Sequence, residues 1–492
     1  MQNGSCRNTT GWFGRLGFAA FAALLLATQT LASLSRDIDA VLADDIGRKY
    51  TVGVVVVEVG DSPAADRRLY ERNPTQALIP ASNLKVVTTA AALDVLGPDF
   101  RFRTVLAGNG QDLALIGDGD PTLGDSDFLR TVGWEVDTVF THWAQVLKDR
   151  NVTSAQRLLV DDSVFDVTFL HPNWPMDQVQ FHYVAEVGGV NLNVNCLDFY
   201  LRNHGRGQVV SFETVPDTDY ANVNNGAVGG ANNAVHLSRQ PGTNDISLGG
   251  ETKYRRHGGL RVTIHDPPRF AATYLAEVLD AAGVRTPLNV QRDRTVRSHL
   301  DGRQNGWVAL AVHETPLVTA LARSNKDSVN VYAESLVKRM GYATAGGAPG
   351  DWTNGTAAVE AYLARLGLPA AEYDLDDGSG LSRQNRVSAN AVATVLADAF
   401  HRPYGATFVG TMSVSGTDGT LSRRFDGLGL TGRVKGKSGF INNVSSLSGY
   451  VEARNGKTYV FAVLMNDVPL GQTWKAKQMQ ERIVHAIDKN AR

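Results

Sequence analysis

Cysteine is close to absent: the 492 residues hold two, Cys6 and Cys196. Two thiols so far apart build neither a disulfide framework nor a cysteine-based zinc site. An excess of either charge is lacking too. Lys+Arg 48 against Asp+Glu 50 leaves a net charge of -2, which excludes a strongly basic nucleic-acid binder. The 11 histidines form no H-E-x-x-H pair, which removes the commonest zinc hydrolase pattern. No G-x-G-x-x-G follows a strand-like run and no G-x-S-x-G is present, so neither a dinucleotide cofactor nor an α/β-hydrolase elbow is expected. One apolar stretch stands out, Leu16–Leu26, and it is shorter than the ~20 residues that span a bilayer as a helix.

That stretch follows Arg7 and Arg15 and precedes the small and polar residues ATQTLAS. A basic start, a short apolar run and a small-residue exit are the layout of a secretory signal. Residues 1–32 are therefore expected to be removed, with Cys196 the one cysteine left. The mature protein is expected to be soluble in a periplasm-like space outside the cytoplasm, touching membrane through the signal alone. Hydrophobic residues at 43% and charged residues at 20% describe a globular chain. Its length allows about two to four domains.

The ends of the chain read alike. Residues 36–47 have helical apolar spacing, and 50–61 form a β-branched run suited to a buried strand. A helix is expected from near Ser82 to Gly97-Pro98. Val444–Glu452 and Lys457–Leu464 read as strands joined by a turn, and Trp474–Ile487 as an amphipathic helix. Such matching ends predict one α/β domain assembled from both termini. Between them, residues 100–300 carry short strand-like runs rich in Asn, Asp and Gly turns, expected to form one or two β-rich insertions. Within these, Asn222–Asn233 reads as a loop.

Three short motifs could carry chemistry. In Ser82-Asn-Leu-Lys85 the spacing of three places Lys85 over Ser82 on one helix face. A serine hydroxyl needs a base to become a nucleophile, and a lysine with a lowered pKa can serve. The alternative is an ordinary helix start. Ser328-Val-Asn330 precedes a helix-like run; Ser328 is either an N-cap or part of a proton relay, with Asn330 contacting substrate. Lys437-Ser438-Gly439 lies where a strand edge could bind an extended peptide. There Lys437 adds charge, Ser438 a hydroxyl for a carboxylate, and Gly439 room for close backbone approach. The alternative is an exposed lysine in a glycine-rich hairpin.

In this order the three match the S-x-x-K, S-x-N, K-[ST]-G set of penicillin-interacting serine enzymes. The chain resembles the D-alanyl-D-alanine carboxypeptidase/endopeptidase family of class C low-molecular-mass penicillin-binding proteins. GDGDPTL (117–123), DDSVF (161–165), DGSGLSRQNRVS (377–388) and VSGTDGTLSRRF (414–425) add to the likeness. So does the stretch half the chain's length between Ser82 and Ser328, where this family inserts extra domains.

The resemblance implies an α/β multidomain fold: a penicillin-binding/β-lactamase-like catalytic domain, its antiparallel sheet flanked by helices, from 33–98 and 305–492, with two β-rich domains inserted at 99–304. It implies a serine-type D-Ala-D-Ala carboxypeptidase and DD-endopeptidase acting on peptidoglycan peptides, inhibited by β-lactams and needing no cofactor. It makes Ser82 the nucleophile and Lys85 its base, Ser328 and Lys437 the route of the proton to the leaving group, and Asn330 the partner of the substrate amide. Backbone N–H groups of Ser82 and Phe440 would form the oxyanion hole. Phe440 stands where the family often has Thr or Ser, so recognition of the carboxylate falls more heavily on Ser438. Arg383 is expected to help bind the peptide stem, with Asp162 or Asp166 candidates for the same pocket. A calcium loop at Asp118–Asp125 is disfavoured because Leu123 stands where the sharp-turn glycine is needed. A non-catalytic peptidoglycan-binding scaffold and a secreted β-lactamase are the rival readings.

Overall fold

The computed structural model describes residues 32–44 and 49–491. The expected signal segment therefore lies outside the described residues up to Leu31. A helix over 32–42 leads into the strand Thr51–Glu58. This strand pairs antiparallel with Thr458–Asn466 on one side and Arg67–Arg72 on the other. The full sheet has six strands. Beyond Thr458–Asn466 come Val444–Glu452, Val434–Ile441 and the short Ser413–Val414. The first long strand thus sits beside the last.

Alternation explains why both faces are apolar. Val55 and Val57 point into one core, with Val460, Ala462 and Leu464. Val54 and Val56 point into another, with Phe461, Val463 and Met465. A strand covered on both faces reads as an unbroken apolar run. Helix 32–42 and the C-terminal helix Thr473–Asn490 cover the second face through Ile38, Val41, Ile483 and Ile487. Helices Leu84–Leu96, Asn330–Thr344, Trp352–Arg365 and Ala389–His401 make up the other layer. Leu84–Leu96 is buried at every position from Leu84 to Leu93, as a helix surrounded by other helices must be.

The chain leaves this domain after Leu96. Arg101–Gly108 opens a five-stranded sheet with Leu113–Ile116, Leu158–Asp161, Gln291–Arg292 and Val308–Pro316. Because Val308–Pro316 pairs antiparallel with Arg101–Gly108, the insert's sheet runs past the expected boundary at 304, to Pro316. The insert is strand-rich and also holds helices, Thr138–Asp149 and Pro267–Ala281 the longest, packed through Phe140, Trp143, Phe270 and Leu275. A smaller β region contains the three-stranded sheet of Cys196–Arg202, Ser211–Val215 and Arg256–Thr263. The expected loop at 222–233 is partly strand: Asn222–Asn225 pairs in parallel with Asp245–Leu248. Its polar residues suit a half-exposed strand as well as a loop. Cys196 is a buried free thiol whose pKa burial pushes up to about 12.

Candidate active site

Ser82 lies in a tight turn, Ala81–Asn83, immediately before the helix Leu84–Leu96. Ala81 takes a left-handed φ of 49°, rare for a side chain with a Cβ. Lys85, one turn on, donates from Nζ to Ser82 Oγ at 3.0 Å. It also donates to Asn330 Oδ1 at 2.7 Å and to the carbonyl of Ser379 at 2.9 Å. The Asn330 amide is oriented by its own bond from Nδ2 to the carbonyl of Tyr183, 2.7 Å. A neutral lysine has two N–H bonds and one lone pair. Two of its three neighbours are carbonyl oxygens that can only accept, so on losing its third proton Lys85 turns its lone pair to Ser82 and that contact reverses, the hydroxyl then donating to Nζ.

Burial favours that neutral state. Lys85 is fully enclosed, and desolvation lowers its pKa against the pull of Glu334 and Asp377. Glu334, itself buried, accepts from Trp352 Nε1 at 2.8 Å and from the backbone N–H groups of Gly378 and Ser379 at 2.9 and 2.7 Å. Desolvation raises its pKa. It therefore fixes the segment whose carbonyl holds Lys85. Asp377 fixes the other end of that loop through the N–H groups of Gly380 and Ser382. Gly380 has φ 81°, and a Cβ there would stand 1.9 Å from the carbonyl oxygen of Ala81, so this turn requires glycine.

Ser328 does not cap its helix; Val329 occupies the N-cap without a side-chain bond. Ser328 instead takes a left-handed φ of 62° and accepts from Lys437 Nζ at 2.8 Å. Lys437 also donates to the carbonyl of Ser438, 2.8 Å. It is wholly buried, and desolvation and then the charge of Lys85 lower its pKa. Ser438 Oγ donates to Thr420 Oγ1 at 2.9 Å.

Lys437, Ser438, Gly439 and Phe440 belong to the strand Val434–Ile441. Ser413–Val414 pairs with Gly436 and Lys435 alone, so among the described residues no strand pairs with the far edge from Lys437 onward. Gly439 is needed for neighbours within the chain as well. A Cβ there would meet Ser446 Oγ at 2.3 Å, Asn83 N at 2.7 Å and the Pro80 carbonyl at 2.7 Å. The glycine lets the nucleophile's own turn sit against the strand. Asn83 binds the two together, donating to the Lys437 carbonyl at 2.7 Å and accepting from Ser448 Oγ at 3.0 Å.

Two cavities meet at Ser82, Ser328 and Phe440. The larger, ≈ 700 Å³, is lined by Asn330, Trp174, Tyr183, Leu381 and Arg383 among others. Arg383 is at its rim, donating to the carbonyl of Asn442 at 2.8 Å. The smaller, ≈ 360 Å³, is lined by Thr420, Ser438, Arg424 and Lys477. Every residue singled out from the three motifs is gathered here. Asp162 and Asp166 are engaged elsewhere: Asp162 pairs with Arg292 and Arg294, Asp166 with Lys338. The aspartates of 118–125 are likewise held by protein donors, Asp118 by Arg339, Asp120 by Thr315 and Asp125 by Arg323. Sequence reasoning missed Glu334, Ser379, Thr420 and Lys477. Ser379 and Thr420 sit in segments already set apart by resemblance, 377–388 and 414–425; nothing local marked Glu334 or Lys477.

The sequence profile of the D-Ala-D-Ala carboxypeptidase 3 (S13) family matches residues 34–489. The chain belongs to that family. It is a serine D-Ala-D-Ala carboxypeptidase of the class C penicillin-binding type. It is 33% identical to a D-alanyl-D-alanine carboxypeptidase of Actinomadura sp. (strain R39), over 89% of this chain and 81% of that one. A penicillin-sensitive carboxypeptidase A of Dictyostelium discoideum is 22% identical over 86% of this chain and 84% of its own. Among solved structures, penicillin-binding protein 4 of Haemophilus influenzae shares the fold with a TM-score of 0.75 at 22% identity, covering 92% of this chain and 99% of that one. Membership of the S13 family accounts for the layered α/β catalytic domain with a large insertion.

Proposed function

We propose that Ser82 is the nucleophile of an acyl-transfer cycle on the D-Ala-D-Ala ends of peptidoglycan stem peptides. The observation that carries this is the 3.0 Å contact between Ser82 Oγ and Lys85 Nζ, whose other two neighbours are carbonyl oxygens. Neutral Lys85 takes the hydroxyl proton as Oγ attacks the penultimate D-Ala carbonyl. The oxyanion is held by the N–H groups of Ser82 and Phe440. Because Lys437 donates to Ser328 Oγ, the Ser328 hydroxyl hydrogen is free to pass to the leaving nitrogen as the C–N bond breaks; Lys437 replaces it on Ser328, and the proton Lys85 took from Ser82 makes good the loss, so both lysines end acylation as they began. Water then cleaves the ester, its proton returning through the same groups.

The substrate's acyl part is assigned to the larger cavity, where Asn330 meets its amide and Arg383 and Trp174 flank the stem. The leaving residue is assigned to the smaller cavity, where Ser438 faces its carboxylate. A cross-linked peptide brings a larger leaving group to the same chemistry, so DD-endopeptidase action belongs to this reading. A β-lactam enters as a D-Ala-D-Ala mimic and remains as an ester on Ser82. We further propose that residues 1–32 direct export to a periplasm-like space. The catalytic domain is taken as 33–98 plus the chain after the insert, the insert beginning at 99 and ending after Pro316 in place of 304.

The test is labelling with a fluorescent penicillin, beside Ser82→Ala, with mass spectrometry of the adduct. A stable adduct on Ser82, absent from the variant, is expected. A folded protein that forms no adduct and hydrolyses neither D-Ala-D-Ala peptide nor penicillin would instead be a binding scaffold. Rapid release of hydrolysed penicillin would mark a β-lactamase.

A further inference from the structure

We propose that Lys477 supplies the positive charge that holds the free α-carboxylate of the leaving D-amino acid. The inference rests on the acyl-transfer reading above and deepens it. Asn330 lines the larger cavity alone and Ser438 the smaller alone, while Ser82 and Ser328 line both. The scissile bond therefore lies across Ser82, with the acyl peptide on the Asn330 side and the leaving residue on the Ser438 side. A residue leaving as a free amino acid carries a carboxylate into a space of ≈ 360 Å³.

Burying a carboxylate without a charged or hydrogen-bonding partner is costly. Phe440, which lines that space, has no side-chain donor. Ser438, assigned to face the carboxylate, has a neutral hydroxyl that also donates to Thr420, so it brings no charge. Two cations remain, Arg424 and Lys477. Arg424 is committed: its Nε is in contact with Glu481 Oε1, and its Nη2 donates to the Lys477 carbonyl at 3.0 Å and to Gln480 Oε1 at 3.3 Å. The Lys477 ammonium makes no hydrogen bond or salt bridge among the described residues. Glu481, one turn along the same helix Thr473–Asn490, is the carboxylate that Arg424 occupies. Lys477 is thus an uncommitted cation on the wall that faces the leaving group.

The measurement is the ratio of kcat/KM for a D-Ala-D-Ala peptide with a free C-terminus to kcat/KM for the same peptide as its C-terminal amide. Lys477→Ala is expected to lower that ratio about tenfold, the usual size of one charge-assisted hydrogen bond. Lys477→Arg is expected to restore most of it, and Lys475→Ala, on the same turn, to leave it unchanged. A purely structural role would lower both rates together and leave the ratio fixed, which would overturn the assignment. Should either peptide turn over too slowly to measure, acylation by benzylpenicillin against its methyl ester reads the same ratio. A Ser82→Ala enzyme that still turns over the peptides would overturn the acyl-enzyme reading itself, a result distinct from an unchanged ratio.

Discussion

Two buried lysines define this site, and each is held uncharged or charged by what surrounds it. Lys85 must be neutral to act, so activity is expected to rise with pH through a pKa below the ordinary lysine value of 10.5, since burial lowers it. Glu334 pulls in the opposite direction. Glu334→Gln removes that charge and is expected to move the ascending limb of the acylation-rate profile to lower pH. An unmoved limb would mean that Glu334 acts on Lys85 only through the Ser379 backbone. Gly439 marks a second dependence at this scale. Gly439→Ala places a methyl 2.7 Å from the Asn83 nitrogen, inside any real contact. It is expected to push the nucleophile turn off the strand and to cut acylation by penicillin at least about a hundredfold. A stopped-flow labelling rate checks this.

At the scale of elements, the parts of the site legible in the sequence are those whose geometry is local. Ser82 and Lys85 are three apart, so helix geometry alone brings them together. The strands Val444–Glu452 and Thr458–Asn466 announced themselves by β-branched runs around a turn. Glu334 looked like any helix glutamate. Its meaning arises from Gly378 and Ser379, far along the chain. Lys477 reads as the polar face of an amphipathic helix until the smaller cavity is seen beside it. Asn83 was in plain view inside the first motif, yet its partners Lys437 and Ser448 lie at the other end of the sequence. The strand at Asn222–Asn225 was hidden for another reason. Its asparagines carry a turn-former's signature, while its pairing with Asp245–Leu248 is non-local.

For the whole molecule, the insert is bolted to the catalytic domain by buried charge. Asp125 accepts from Arg323 Nε and Nη2 at 3.0 and 2.8 Å and from Tyr332 OH at 2.6 Å. It also caps the insert's helix Ser126–Val132. Lys338–Asp166 and Arg339–Asp118 add two more links. Such coupling predicts a single cooperative unfolding transition. Asp125→Ala leaves Tyr332 without its acceptor and Arg323 with Asp327 alone, and is expected to cost about 1–3 kcal/mol, with the insert melting ahead of the rest in differential scanning calorimetry. One symmetric transition in the variant would show that the remaining links suffice.

The strand order has a consequence for synthesis. Thr51–Glu58 waits for Thr458–Asn466 as its neighbour, and the nucleophile turn waits for the strand that holds Lys437. A nascent chain carrying Ser82, Lys85 and the whole insert still has no wall for its reaction until nearly all of it has been made. Chemistry that cuts the cell wall is thereby withheld from partial translation products. The penalty is slow closure, since these pairings span almost the entire polymer. Competence to react should appear late in refolding, after the insert has acquired its native signals.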